Sequence, residues 1–357
     1  MLTNKINIRN LSLDEIIQAL ATIGEKKFRA KPVYEWIWKK GIRDFSEMNN
    51  TSKQVVSFLD EHYFIDGILI SDQQKSQDGT IKCAFTTYDG HITEGVLIPT
   101  TSRITACISS QVGCSLACKF CATGRLKLMR NLSAGEIYDQ VLLLTRLAQE
   151  HYGQNLSNIV FMGMGEPLLN YKNTLDGIEK ITNEIGLGIS AKRITVSTAG
   201  IAKMIKKLGD DEVKFNLALS LHAANDAKRS EIMEINDSNN LEALAESLRY
   251  FHEKTDTRIT FEYIIFKDFN DTLKDASELA DFCKNVPVKI NIIEYNPIDD
   301  GEFQQADSKK VDAFAKFLES LNLIVNVRRS RGKDIDAACG QLANKNGAIE
   351  LKERVLK

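Results

Sequence analysis

The 357-residue chain carries 46 Lys and Arg against 48 Asp and Glu, a formal charge of −2, so any nucleic-acid contact must rest on local basic patches rather than on a uniformly basic body. Its 43 % apolar content is ordinary for a globular protein and excludes disordered and fibrous classes, and no apolar run approaches the roughly 18 residues of a membrane helix. Met1–Asn10 lacks a signal-peptide core, and seven cysteines, an odd number, read as metal ligands or reactive thiols rather than a disulfide scaffold; a soluble, cytoplasmic protein is expected.

Three amphipathic segments come first. Ser12 followed by Glu15 is a capping-box pattern that starts a helix near Leu13. Pro32 suits the first turn of a second helix running to about Lys40, with Gly41 as its stop, and a third spans roughly Thr51–Tyr63. Residues 1–65 therefore read as a small helical domain. Residues 66–102 switch to short β segments broken by the turn dipeptides Asp78-Gly79 and Asp89-Gly90, a β-hairpin extension.

From residue 103 to 328 strands and helices alternate. The strand candidates are Ile104–Ser109, Asn158–Met162, Ile194–Val196, Phe215–Ser220, Ile259–Ile265, Val288–Ile293 and Ile324–Val327. Helical patterns such as Ala134–Gln149, Leu241–His252, Asp275–Cys283 and Ser308–Leu321 fill the gaps. Repeated βα units predict an α/β fold with a parallel sheet, either a partial TIM-like barrel with its chemistry at the C-terminal strand ends or a doubly wound open sheet. Residues 329–357 form a C-terminal segment that contains Cys339.

The strongest chemical signal is Cys114-Ser-Leu-Ala-Cys118-Lys-Phe-Cys121, on the loop after the first strand of the βα series. Three thiolates in one loop can hold one face of an iron–sulfur cubane and leave one iron open, as a catalytic metal requires. A zinc site would need a fourth ligand, and buried structural thiols are the remaining alternative. One βα unit later stands Gly163-Met-Gly-Glu-Pro167, whose glycines allow close backbone approach and whose carboxylate can hold an ammonium group. Cys107 lies on the strand before the triad. Cys339 sits beside Gly340 in the polar stretch Arg331–Gln341, which is unsuited to a core.

These motifs resemble the radical-SAM superfamily, where the open iron chelates S-adenosylmethionine and Phe120 matches an aromatic often found before the last cysteine. The four motifs together closely resemble the RlmN/Cfr methyltransferases, RlmN more than Cfr, over roughly residues 80–345 and most densely in Gln111–Arg130 and Arg331–Leu342. The resemblance implies a radical-SAM barrel with a [4Fe–4S] cluster on Cys114, Cys118 and Cys121, and methylation of adenine C2 in 23S rRNA and tRNA. A Cfr-like enzyme acting at C8 is the alternative.

By the same resemblance Cys339 carries a methyl group during turnover, Cys107 resolves the protein–RNA adduct and leaves a disulfide, and Glu94 is the base. S-adenosylmethionine contacts are implied for Gly165, Glu166, Ser197, Ser220, Leu221, His222 and Asn296. An external electron donor such as flavodoxin or ferredoxin is implied as well. Read without the resemblance, Glu94 could be a solvated strand carboxylate, the serines strand-end hydroxyls, His222 a satisfied loop histidine and Asn296 a turn former. The stretch after Asn296-Pro297, Ile298-Asp-Asp-Gly-Glu-Phe303, departs from the family's Pro- and Gly-containing loop.

The chemistry accounts for the parts. Adenine C2 is electron-poor and will not attack a methyl sulfonium directly, whereas a thiolate accepts methyl by ordinary displacement. Basic residues Lys26, Lys27, Arg29, Lys31, Lys39, Lys40 and Arg43, interleaved with Phe28, Tyr34, Trp36 and Trp38, are candidate RNA contacts, as are Arg328, Arg329, Arg331 and Lys333 around the Cys339 segment. The aromatics are expected to pack the helical domain's own core, and Cys83 and Cys283 to be packing residues.

Overall fold

The structure is a computed structural model and describes residues 5–299 and 301–343. The end of the C-terminal segment, from residue 344, lies outside the described residues. Helices α1 (Leu13–Ala21), α2 (Ala30–Trp38) and α3 (Lys53–His62) lie between β1 (Ile6–Asn7) and β2 (Tyr63–Phe64), which pair in parallel. The capping box forms as expected: Glu15 N–H donates to Ser12 Oγ and the Glu15 carboxylate accepts from Ser12 N at 2.7 Å. Gly41, just after α2, has φ +57°.

A meander of β3 (Leu69–Lys75), β4 (Ile81–Thr86) and β5 (Ile92–Pro99) follows, and its turns use Gly79 and Gly90 at φ +89° and +84°. Strand β6 (Ile104–Cys107) opens the βα series. The cysteine loop is closed at its base by the antiparallel pair β7 (Gln111–Val112) and β8 (Arg130–Asn131). Then come α4 (Ala134–Tyr152), β9 (Asn158–Phe161), α5 (Tyr171–Thr182), β10 (Ile194–Thr198), α6 (Ala202–Asp210) and β11 (Asn216–Ser220). The chain continues with α7 (Asp226–Ile232), α8 (Leu241–Thr255), β12 (Ile259–Ile265), α9 (Leu273–Cys283), β13 (Val288–Glu294), α10 (Ser308–Ser320) and β14 (Val325–Arg328).

These strands form one ten-stranded sheet in the order β14-β13-β12-β11-β10-β9-β6-β5-β4-β3. From β6 to β14 neighbouring strands are parallel and follow chain order without a reversal. A doubly wound sheet requires a reversal, so the fold is the partial TIM-like barrel, with the antiparallel meander continuing its first edge. Side-chain hydrogen bonds, rather than a strand ladder, link the two ends of the sheet. Gly332 N–H donates to Asp78 at 3.0 Å, and Asp334 accepts from Ser76 Oγ at 2.6 Å and Gln77 N at 3.1 Å.

The buried core runs without a break from the N-terminal helices into the barrel. Trp38 stacks edge-on against Tyr138 of α4 at 5.2 Å, and the Tyr138 hydroxyl donates to the Trp38 carbonyl. Arg9, fully buried, donates to Asp139 of α4 at 2.7 Å. Tyr34, Trp36 and Trp38 are buried, Trp38 at the seam with α4 as well as in the small segment's own packing, because three short helices have too little apolar surface to enclose them; Phe28, against expectation, is exposed. Cys83 and Cys283 are buried in this core, as expected.

Candidate active site

The parallel strands β6 and β9 to β14 end on the same side, and the candidate residues collect there. Cys107 closes β6, Ser197 and Ser220 lie at the ends of β10 and β11, Leu221 and His222 follow, and Asn296 stands just past β13. Glu94 reaches the same end from β5 and is buried. In its sheet, Glu94 faces Ala84 of β4, and Lys82 Nζ approaches its carboxylate at 3.7 Å.

The glycine-rich loop after β9 is zipped to the loop after β6. Gly163 N–H donates to Ile108 O, Met164 N–H to Ser109 Oγ at 2.7 Å, and Glu166 N–H to Gln111 Oε1 at 2.8 Å. A Cβ on Gly165, which has φ +92°, would lie 2.4 Å from Gln111 Cβ, so only glycine fits this close approach. Glu166 is buried, and its carboxylate accepts from the backbone N–H groups of Leu168 (3.0 Å) and Ala199 (2.7 Å). Those bonds fix the loop, and the expected ammonium contact would have to share a carboxylate already holding two backbone amides.

The Ser197 and Ser220 hydroxyls meet at 3.3 Å. His222, at φ +56°, is clamped by Asn270, whose amide donates to the His222 carbonyl at 2.7 Å. His222 Nδ1 accepts from Ile264 N at 3.1 Å, which leaves the proton on Nε2. Burial and the neighbouring Arg229 push its pKa down to about 3, so the ring is neutral. It stands edge-on to Phe120 at 4.8 Å, joining the aromatic before Cys121 to the β11 loop.

Cys114, Cys118 and Cys121 are part-buried, and all seven cysteines are free thiols. Burial pushes the Cys114 thiol up to about 11 and raises Cys118 and Cys121, and Cys118 feels both of the other two sulfurs. Among the described residues no three His, Cys, Asp or Glu side chains converge on a single ion. A cubane does not ask for that, since each thiolate binds a different iron, and iron would neutralise three thiolates that burial and mutual repulsion disfavour. A polar ligand is also accommodated: Asn296 Nδ2 donates weakly to Glu294 O and Cys339 O, both at 3.4 Å, while its buried Oδ1 lacks a partner among the described residues.

Cys339 is exposed on the segment facing the cysteine loop. Desolvation of its sulfur among the surrounding loops is what chiefly pushes its pKa up to about 11, with Cys121 and Glu262 adding and Arg328 opposing. Cys107 is buried among Val96, Met164, Ala337 and Leu342, against the same segment. Burial foremost, then Cys339, raises its thiol to about 12. A cleft of about 240 Å³ opens beside the Cys339 segment, lined in part by Arg125, Pro297, Ile298, Asp299 and Gln341, so the first two residues of the divergent stretch, Ile298 and Asp299, contribute to its wall.

Three buried charged residues were not anticipated. Arg229, fully buried, donates to Leu221 O (3.1 Å), Ala199 O (2.5 Å) and Asn236 (2.8 Å), and sits close enough to Cys118 to lower its pKa. Glu262 and Glu294 are buried acids in apolar strands β12 and β13, and a lone acid in such a strand is the signal that could have marked them. They partner the basic residues expected at phosphates: Arg328 lies 3.5 Å from Glu262, Arg329 pairs with Glu294, and Lys333 lies 3.5 Å from Glu294. Arg331 likewise lies 3.5 Å from Asp78. Lys26, Lys27, Arg29, Lys31, Lys39, Lys40 and Arg43 are exposed, as are Arg328, Arg329 and Lys333 beside their carboxylate partners.

Comparison with known proteins agrees with this architecture. The family model for the ribosomal RNA large subunit methyltransferase N-terminal domain matches residues 6–65, and that of the radical SAM superfamily matches residues 108–283. A protein of Cytophaga hutchinsonii named "Probable dual-specificity RNA methyltransferase RlmN" is 58 % identical over 338 residues, 95 % of this chain and 93 % of its own. A relative of the same name from Flavobacterium psychrophilum is 54 % identical over 345 residues, 97 % of this chain and 99 % of its own. The crystal structure of a radical SAM methyltransferase from Sphaerobacter thermophilus superimposes with TM-score 0.89 at 36 % identity, covering 94 % of this chain and 99 % of that one. The chain belongs to the RlmN family of RNA methyltransferases within the radical SAM superfamily.

Proposed function

We propose that this protein methylates C2 of adenine in 23S rRNA and in tRNA, through a methyl group carried on Cys339. The observation that carries the reading is the convergence of Cys107, Glu94 and the Cys339 segment. Cys107 packs on that segment, and Glu94 accepts from Ala343 N at 2.8 Å. Two catalytic thiols and a base have no reason to meet in an enzyme that transfers methyl directly.

In this reading Cys114, Cys118 and Cys121 hold a [4Fe–4S] cluster, and Gly165, Glu166, Ser197, Ser220, Leu221, His222 and Asn296 surround S-adenosylmethionine. With an electron from a flavodoxin- or ferredoxin-type donor, the bound pair supplies a carbon radical able to abstract hydrogen. Cys339 accepts methyl by displacement and presents it to the base after losing one hydrogen atom. That carbon bonds to C2, Glu94 takes the ring proton, and the adduct's unpaired electron would return to the cluster. Cys107, as thiolate, then attacks the Cys339 sulfur, forming a disulfide as the Cys339 carbon–sulfur bond breaks, and the released carbon takes a proton to become the methyl of the departing base. The exposed lysines and arginines between Lys26 and Arg43 are placed to meet RNA phosphates.

S-adenosylmethionine with a fully deuterated methyl group tests the route. After any unlabelled methyl on Cys339 is consumed, the adenine methyl should carry two deuteriums and 5′-deoxyadenosine one, with fragmentation placing the methyl at C2. An intact trideuterated methyl would overturn the mechanism, and a methyl at C8 the regiochemistry.

A further inference from the structure

The segment that carries Cys339 is held chiefly through its backbone carbonyls, and two of the donors come from the cysteine loop. Ala122 N–H donates to Gly340 O at 2.7 Å, and Thr123 Oγ1 donates to Leu342 O at 2.6 Å. Gln341 adds a bond from its side chain to Pro297 O at 3.0 Å. Gly340, at φ +81°, lets the segment turn against the backbone of Phe120 and Cys121. The loop that would hold the cluster and the segment that would carry the methyl group are therefore laced together directly.

Thr123 is distinctive in this lacing. It is buried, it stands two residues after Cys121, and its bond is made by a side chain and so can be removed without breaking the backbone.

We propose that Thr123 is a positioning residue, whose hydroxyl docks the Cys339 segment on the cysteine loop and thereby sets the placement of the Cys339 sulfur. The inference rests on the proposed role of Cys339 only for its consequence in turnover; the docking itself stands on the hydrogen bonds.

The test is hydrogen exchange across residues 338–343 in the iron-free protein, comparing wild type with Thr123→Val and Thr123→Ser. Val keeps the shape and removes the donor, leaving Leu342 O unpaired, and exchange there should quicken roughly tenfold. Ser should restore it. In the reconstituted enzyme with S-adenosylmethionine and no RNA, mass spectrometry of the Cys339 peptide should show slower methylation in Val and recovery in Ser, at equal iron content. Wild-type exchange in Thr123→Val would overturn the docking role, as would slowed methylation without any change in exchange. Absence of Cys339 methylation in the wild type would instead defeat the proposed function and leave the exchange result standing. If Thr123→Val is not recovered folded, Thr123→Ala is read by the same exchange measurement and the same criteria.

Discussion

Ala343 donates its backbone N–H to Oε2 of Glu94 at 2.8 Å, joining the end of the described chain to strand β5. The candidate base is thus also an anchor for the Cys339 segment, and the two roles can be separated. Glu94→Gln keeps an acceptor oxygen for Ala343 but cannot take a proton, so the segment should stay docked while a protein–RNA conjugate accumulates. Glu94→Ala should lose both, giving faster exchange near residue 343 and less conjugate. Denaturing gels with labelled RNA and hydrogen exchange read the two effects; equal conjugate in wild type and Gln would remove Glu94 as the base.

His222 makes stability depend on pH. Its folded pKa of about 3 lies below the ordinary value of 6.5, so the unfolded chain binds the extra proton. The contribution is fully present above pH 6.5 and is lost progressively as pH falls toward 3, at up to about 1.4 kcal/mol per pH unit. Denaturant unfolding of the iron-free protein at pH 7 and pH 5 should show a larger drop for wild type than for His222→Asn, which cannot titrate. Equal drops would mean the ring is not held neutral.

Much of this molecule was legible because its signals are local. The cysteine triad, the glycine-rich loop and the turn dipeptides at 78–79 and 89–90 depend on short-range spacing, and each lies where the pattern put it. Periodicity alone left barrel and doubly wound sheet open, since strand order is a property of pairing across the chain; the cysteine and glycine motifs, through the family they resemble, pointed to the barrel that forms. Pairing also hid the fate of Arg328, Arg329 and Lys333: a basic run reads alike whether it meets phosphate or, as here, the acids of β12 and β13. Strands β1 and β2, two residues each, are too short to leave a period. Thr123 has no local signature, because its partner Leu342 lies 219 positions away.

Gly165 offers a stringent test of the S-adenosylmethionine site. An alanine there must adopt φ +92° and press its Cβ to 2.4 Å from Gln111. Backbone strain alone costs about 1–3 kcal/mol, and the contact would push the two loops apart. Gly165→Ala should therefore unfold at lower denaturant and bind S-adenosylmethionine at least about tenfold more weakly by calorimetry. Undiminished binding would place the ligand away from this loop.

The two lone cysteines differ most in accessibility, and that difference predicts their chemistry. Cys339 is exposed and Cys107 buried, so iodoacetamide should label Cys339 in the iron-free protein and spare Cys107. With its pKa near 11, Cys339 is mostly thiol at neutral pH, and since the thiolate is the nucleophile, labelling should rise about tenfold per pH unit from 7 to 9. The same placement divides their roles in turnover. Cys339→Ala leaves no acceptor for the methyl group, so that variant should form neither methyl-cysteine nor a conjugate. Cys107→Ala keeps the exposed acceptor but lacks the thiol packed behind the segment, so it should join RNA and fail to release it. A conjugate in Cys107→Ala that nuclease digestion reduces to one nucleotide on Cys339 would locate the bond. If both variants are inactive without any conjugate while their iron content matches wild type, the covalent route is wrong, and the packing of Cys107 against the Cys339 segment is structural only.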